Sequence, residues 1–529
     1  MAGRMAGEGV VARVNALLSA ALVVMALALF GRIMAYPLQH DEQLFMAAGI
    51  LLSDGRLYAD LGFNHLPNYP WLLSGVFRLT GTDHYLLVAR LLTFTFWLAA
   101  GAALWCIARD HARSRLVGLV AIILLFGNAT LLGSPGVLAS NNFAPMTFAL
   151  WGFYAFLRGV EAAPLRPGLV ALGGLLLSLA IGFKANYVFL AIPFAVASLF
   201  VPSGLSLPRR LLLVTLPLAL GGGIGALPTL YYLLSDPAGF FAHTLYYFTD
   251  LHVAHWQGLD VPKVMGIGGK VILAEGIWLS GSILLALTGA LAFLLARGLA
   301  GAGGWRQPWP IWVALALVLA GMAVSFVPTP AFPHYYVPPI AFILLLFILA
   351  FAPLPVAPRR MMVPLLVALA LLGMVGGASR LAPSLFDLVR PAQWTGLRVH
   401  AAAAQIARLS GNEGTRIATL APLYALEGGR PIYRELSAGP FVYRVAASIP
   451  PSHRRHYAAV SPEGLPALLD ADPPAAILVG LEGDLDDGFT RYAQARGYRE
   501  VVFPGSRARE GDLRLYVRSG GALVATPDN

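Results

Sequence analysis

The sequence predicts an all-α polytopic membrane domain of about eleven helices followed by a small C-terminal α/β domain. Three observations carry that expectation. Of 529 residues, 57% are hydrophobic and only 12% charged, with a mean hydropathy of +0.69, whereas a soluble domain has about a quarter of its residues charged. Apolar runs of about 18 residues or more recur along the chain, which is the length needed to cross a bilayer as a helix. Beyond about residue 378 those runs give way to helical patterns such as "VHAAAAQIARLS" alternating with the β-type runs "TRIATL", "AAILVGL", "REVVFPG" and "LRLYVR".

The expected spans are 14–35, 84–108, 116–134, 141–158, 168–183, 185–202, 211–234, 272–296, 310–327, 336–353 and 361–378. The first is too long for a signal-peptide core and is followed by "PLQHDEQ", which lacks a small-residue cleavage pattern, so it is read as retained. The pair 168–183 and 185–202 is short, and one kinked element is the alternative.

Charge sets the orientation. With the N-terminus inside, the inner loops collect thirteen arginines, from Arg4 to Arg360 and including Arg306, against the acids Glu8, Asp110 and Glu161. The outer loops collect Asp41, Glu42, Asp54, Asp60, Asp83, Asp236, Asp250 and Asp260. The three lysines, Lys184, Lys263 and Lys270, all fall on the outer side, against the rule. Residues 1–399 hold 23 Lys+Arg against 13 Asp+Glu, and residues 400–529 hold 14 against 14. The formal net charge of +10 therefore follows from topology and is no nucleic-acid signal. An odd number of spans puts residues 379–529 outside. The chain is thus expected in a bacterial inner membrane, with its lipids as neighbours and its C-terminal domain in the periplasm. The lone Cys106 forms no disulfide within the chain and reads as a small hydrophobe.

Two outer loops exceed what a connector needs. The first, 36–83, holds two helical patterns, "DEQLFMAAGILLSDG" and "NYPWLLSGVFRLTG", expected as amphipathic helices lying at the interface. Asp41 and Glu42 open the first of these. Asp41 reads as either a helix N-cap or a functional acid, and Glu42 as a dipole partner, a supporting group or a substrate contact. Asp60 reads as a turn residue or a contact. The second, 235–271, is aromatic and carries His243, His252 and His255 without metal-type spacing. A third, short segment, "VPTPAFPHYYVPPI", packs prolines around His334 and Tyr335, which form either part of a site or an aromatic belt. Lys184 reads as a site residue or as a cation snorkelling to headgroups. Arg90, near the outer end of the second span, pairs with a lipid phosphate or with an acid such as Asp83.

The ordered set "DE", "GRLYAD", "HLPNYP", "GFKANYVFLAIPF" and "FPHYYVPPIAF", with "AGPFVYR" in the tail, resembles the GT-C glycosyltransferases. It is most similar to the branch of protein O-mannosyltransferases, lipid A aminoarabinose transferases and RgtA/B/C/D-like enzymes. The resemblance implies an inverting transferase that moves a sugar from a polyprenyl-phosphate donor to an extracytoplasmic glycan, lipid or protein acceptor. It implies Asp41 and Glu42 as catalytic acids, with Lys184, His65, His334, Tyr335 and Asp60 at the donor phosphate and sugar. Two positions depart from the pattern. The second outer loop reads "SNN", with Asn141 and Asn142 where many relatives carry an Asp, and His65 stands where some have a Lys before Pro. No cofactor is implied with certainty, and the sequence does not support a metal. The rival readings are a lipid-linked-sugar transporter or flippase, which would need midspan charges and an internal repeat, and a non-catalytic subunit of polysaccharide assembly.

Overall fold

The computed structural model describes residues 2–53, 55–259, 263–301, 307–411, 415–503, 507–508 and 511–518. Asp54, Asp260 and Arg306, and the side chains of Arg4 and Glu8, lie outside what is described. Helices run Ala2–Ala35 (α1), His40–Leu51 (α2), Asn68–Thr80 (α3), Tyr85–Asp110 (α4), Arg115–Phe126 (α5), Ala144–Glu161 (α6) and Pro167–Phe183 (α7). They continue as Ala185–Phe200 (α8), Leu207–Ser235 (α9), Ile267–Trp278 (α10), Gly281–Leu299 (α11), Trp309–Ser325 (α12), Pro333–Phe351 (α13), Val356–Leu381 (α14) and Thr395–Leu409 (α15). Each of the eleven expected spans contains helix. Among the described residues, six helices are long and apolar enough to cross a bilayer: residues 11–35 of α1, and α4, α9, α11, α13 and α14.

Three expectations are corrected. The span expected at 116–134 stops at Phe126, because Gly127 and Asn128 turn the chain. The Gly127 N–H closes on Ile123, and Asn128 Oδ1 accepts the Leu131 N–H at 2.8 Å. The span expected at 272–296 is two helices, broken at Leu279–Ser280. Gly281 takes a positive φ of 49° there, a conformation that suits a residue without Cβ. Finally, α2 is not an interfacial helix with a wet face. Glu42 to Gly49 are all buried, between α3 and the C-terminal region. α3 does keep an exposed apolar edge at Trp71 and Leu79.

Between α7 and α8 the chain breaks at Lys184, whose backbone is extended, so 168–202 forms two helices at an angle. α7 packs on both α6 and α9. Hydrocarbon offers no hydrophobic force between helices, so close approach of small residues supplies the packing. A Cβ on Gly221 would stand 1.8 Å from the Ala171 carbonyl oxygen, and one on Gly174 would stand 2.0 Å from that of Leu218.

The four β-type runs become one four-stranded sheet: Ile417–Ala418 (β1), Ala476–Val479 (β2), Arg499–Val501 (β3) and Arg514–Val517 (β4), in the order β1-β2-β4-β3. β1 is parallel to β2, and β4 is antiparallel to both its neighbours. Alternation along β2 divides two cores, as the two-residue period of a strand requires. Ala476 and Leu478 belong to the main core, which is continuous with the membrane helices. Ile477 and Val479 belong to a separate core with Tyr433, Leu465, Phe489 and Tyr516.

Gly221→Val should destabilise the α7–α9 pair by about 1–3 kcal/mol, the usual penalty for overpacking. Gly223→Val, where nothing stands within 4 Å of the added Cβ, should be close to neutral. Thermal melting of the two variants in detergent checks the contrast.

Candidate functional site

The site is built on one buried ion pair. Arg90 of α4 and Glu42 of α2 are both fully buried and pair through two bonds, Nε to Oε1 at 3.0 Å and Nη2 to Oε2 at 2.7 Å. Arg90 Nη1 also donates to the carbonyls of Ile33, Met34 and Tyr36, which are acceptors that the end of α1 leaves open. Glu42 Oε1 in turn accepts the Ala139 N–H at 2.9 Å, fixing the loop before α6. Buried charges persist only when paired and hydrogen-bonded in this way. Glu42 therefore faces Arg90 and backbone. Arg90 was open in the sequence between lipid phosphate and Asp83, and it pairs with neither.

Asp41 is one residue away and differs in every respect. The N-cap of α2 is Gln39, so Asp41 lies inside the first turn and caps nothing. Its carboxylate is 31% exposed, and the nearest basic atom is His40 Nε2 at 3.9 Å. Burial lowers the pKa of that imidazole and so favours its neutral form. Among the described residues no hydrogen bond reaches the Asp41 carboxylate. Its charge acts on Lys184 and on the Tyr335 hydroxyl.

Lys184 is 6% exposed and points into the protein, which removes the snorkelling reading. Its Nζ donates to Asn142 Oδ1 at 2.5 Å and lies 5.3 Å from the centre of the Tyr335 ring. Asn142 is itself held by Ser140, and Asn141 Nδ2 donates to the Phe183 carbonyl. Tyr335 is 9% exposed beneath this lysine, so it faces inward and does not sit in a belt. His334 stacks on Phe332 and meets Tyr335 edge-on. His65 stacks on Phe45 at 5.3 Å, and the charge of Lys184 acts on both His65 and His334. The structure thus brings Asp41, His65, Lys184, His334 and Tyr335 together. Asp60 stands apart, accepting the Arg56 N–H at 2.7 Å and lying 3.8 Å from Arg434, the position of a turn residue.

Residues that sequence reasoning did not single out complete the wall. Tyr247 donates to the Phe441 carbonyl at 3.0 Å. Arg444, from the "AGPFVYR" segment, lies over Trp256 and Phe441, each at 5.2 Å. Lys263 lies over Trp256 at 4.4 Å and over Phe332 at 5.6 Å. The presence of Lys263 on the outer side was the one signal for it. Lys270 instead serves the fold, donating to the Phe326 carbonyl and to Thr329 Oγ1. Val264, beside Lys263, bridges to Ala331. It also lines an apolar groove of about 430 Å³ formed by Val264, Gly269, Ile272, Leu273, Gly276 and Ile277. A chain of contacts thus runs from Lys263, next to the groove residue Val264, through Phe332 to His334, Tyr335 and Lys184.

No family model matches the chain, and no curated protein is similar to it. Among solved structures the chain is similar to ArnT from Cupriavidus metallidurans. With undecaprenyl phosphate bound, the two share 16% identity and a TM-score of 0.59 over 98% of this chain and 99% of that one. In the apo state they share 14% identity and a TM-score of 0.60 over 97% and 98%. The oligosaccharyltransferase of Archaeoglobus fulgidus matches at 10% identity and a TM-score of 0.48, over 88% of this chain and 70% of that one. The chain thus shares the fold of ArnT over nearly its whole length.

Two outcomes follow from the geometry. Arg90→Ala and Glu42→Ala should each cost about 3–5 kcal/mol, since either leaves an unpaired buried charge. Asp41→Asn should leave the melting temperature almost unchanged. Burial, with Lys184 and His252 adding to it, pulls His65 down to about 3, whereas an unfolded histidine takes up a proton below about pH 6.5. Between those values the unfolded chain holds the extra proton, so stability is present above pH 6.5 and falls as the pH drops. Melting from pH 7 to 4.5 should show that decline, and His65→Gln should flatten it by up to about 1.4 kcal/mol per pH unit.

Proposed function

We propose that this chain is an inverting glycosyltransferase with a polyprenyl-phosphate sugar as donor and an extracytoplasmic glycan, lipid or protein hydroxyl as acceptor. The observation that carries it is the pairing of a carboxylate free of hydrogen bonds, Asp41, with a buried lysine whose direct partner is a neutral amide, Asn142. A chain of ring and cation contacts links Lys184 to Lys263, the neighbour of the groove residue Val264. ArnT, which has the same fold, has been seen with undecaprenyl phosphate bound, and this supports a donor of that class.

In this reading the polyprenyl chain lies along the groove and its phosphate meets Lys184. Burial pulls Lys184 down to about 7, and with Asn142 in place of an acid it is the arriving phosphate that holds it protonated. Burial holds His65 neutral, so it serves as a hydrogen-bonding partner and supplies no charge. The acceptor hydroxyl attacks the anomeric carbon from the face opposite the phosphate, which is the requirement for inversion. Its proton passes to the Asp41 carboxylate as the new C–O bond forms. The bond from the anomeric carbon to the phosphate oxygen breaks, and its electron pair leaves with the polyprenyl phosphate, whose added charge Lys184 offsets. Glu42 positions Asp41 through Arg90 and does not touch substrate. Asp60 is given no direct role. Eleven spans, with the site and residues 379–529 outside the cytoplasm, complete the proposal, since they put the acid where a lipid-borne sugar meets a water-borne acceptor.

General-base catalysis contributes about 10²–10⁴-fold, so Asp41→Asn should lower turnover by that factor while changing donor affinity little. Lys184→Ala should weaken donor binding, and lower turnover as well, with fold and expression retained. The measurement is sugar transfer from a purified polyprenyl-phosphate donor by each reconstituted variant. Near-normal turnover in Asp41→Asn would exclude it as the base.

A further inference from the structure

We propose that Asp83, His84 and His400 form a binding site for a divalent cation of the zinc class, clamping the start of α4 to α15 of the C-terminal region. Asp83 and His84 are neighbours in sequence and His400 lies far along the chain from both, and none of the three belongs to the site described above. Each offers one ligand atom, and these atoms all lie within 4.8 Å of one another. The two imidazoles stack with their centres 3.6 Å apart and 23° between their planes. Nδ1 of both rings is buried, and neither has a hydrogen-bond partner.

Two orphaned ring nitrogens side by side need an explanation, because buried polar atoms are nearly always satisfied. Packing alone does not supply one, since two apolar rings would fill the same space without stranded lone pairs. The in-plane lone pairs of stacked rings do not converge, so a cation satisfies both once one ring turns out of the stack. The backbone carbonyl of Asp83 faces the His400 ring and can take a proton from its other nitrogen. That leaves the Nδ1 lone pair free, the arrangement in which histidines commonly bind metals. Zinc takes nitrogen at about 2.0–2.1 Å and carboxylate oxygen at about 2.0–2.2 Å in a tetrahedron, which brings its ligands closer together than 4.8 Å. The Asp83 side chain is 74% exposed and free to swing inward to complete the approach, with water in the fourth position. Two imidazoles and a carboxylate are the donor set that favours zinc over magnesium or calcium. The backbone beneath is already close-packed, as a Cβ on Gly396 of α15 would stand 2.8 Å from Leu87 Cα of α4. A bound ion would lock the register of α15 on α4.

The test uses the full chain, tag-free, purified in detergent, stripped with EDTA and titrated with Zn²⁺ alone. Bound metal is counted by elemental analysis after gel filtration, and the melting temperature is followed in parallel. The expected result is one Zn²⁺ per chain with a raised melting temperature. Both should be lost in His84→Ala/His400→Ala and retained in His255→Ala. Asp83→Asn changes only an exposed side chain and so keeps the test open should the double variant misfold. It should bind at least about tenfold more weakly, the lower end of what even an outer-shell change costs a metal site. A wild-type chain with no bound Zn²⁺ and an unshifted melting temperature would overturn the assignment, as would unaltered binding in Asp83→Asn and the double variant.

Discussion

Arg90 is the residue on which the arrangement of the site rests. It is a permanent charge on an otherwise apolar helix, and it is tolerated because five hydrogen bonds surround it, two from Glu42 and three from the last carbonyls of α1. A guanidinium suits this place and an ammonium does not, because its planar fork meets a carboxylate on one side and a row of carbonyls on another. Glu42 passes the constraint on to Ala139. From there the loop runs through Asn141, which donates to the carbonyl of Phe183, and Asn142, which accepts from Lys184. Four segments distant in sequence are thereby set in one register.

That network also divides the labour within the acid pair. Adjacent residues near the start of a helix point about 100° apart, so two neighbouring carboxylates cannot share one environment. One turns inward and is consumed by the guanidinium. The other stays partly exposed, with an imidazole 3.9 Å away and Lys184 within reach of its charge. The rigidity of the first is what gives the second a defined position, in keeping with the need to hold a reacting group close to its productive geometry.

Much of this was legible in the sequence, and what was not has physical causes. Hydropathy located the helices, because the bilayer demands continuous apolar length whatever the tertiary structure. Short β-type runs between Gly, Pro and charged residues located the four strands of the main sheet. Breaks inside apolar runs were invisible, since Gly127 and Gly281 stop helices through close approach and a positive φ, and neither shows in composition. α2 misled for a related reason, as its apolar spacing marks a buried face but cannot report that the C-terminal region covers the opposite one. Asp41, Lys184 and Tyr335 were found as an ordered set of motifs. The partner of Arg90 was not, because pairing across 48 residues leaves no local spacing. Arg444 and Lys263 escaped for the same reason, since the rings they cover come from loops and a domain that sequence order keeps apart.

The buried pair also bears on how the chain is assembled. Glu42 leaves the ribosome 48 residues ahead of its partner, at a time when α1 alone has entered the bilayer and its last carbonyls have no guanidinium to meet. A charge taken out of water without its partner bears an uncompensated desolvation cost, so neither member of the pair gains by being buried first, and burial of the two together is the favoured course. Closure of the site is in this way tied to the completed insertion of α4, and an intermediate lacking α4 would present its acids to solvent with nothing arranged around them.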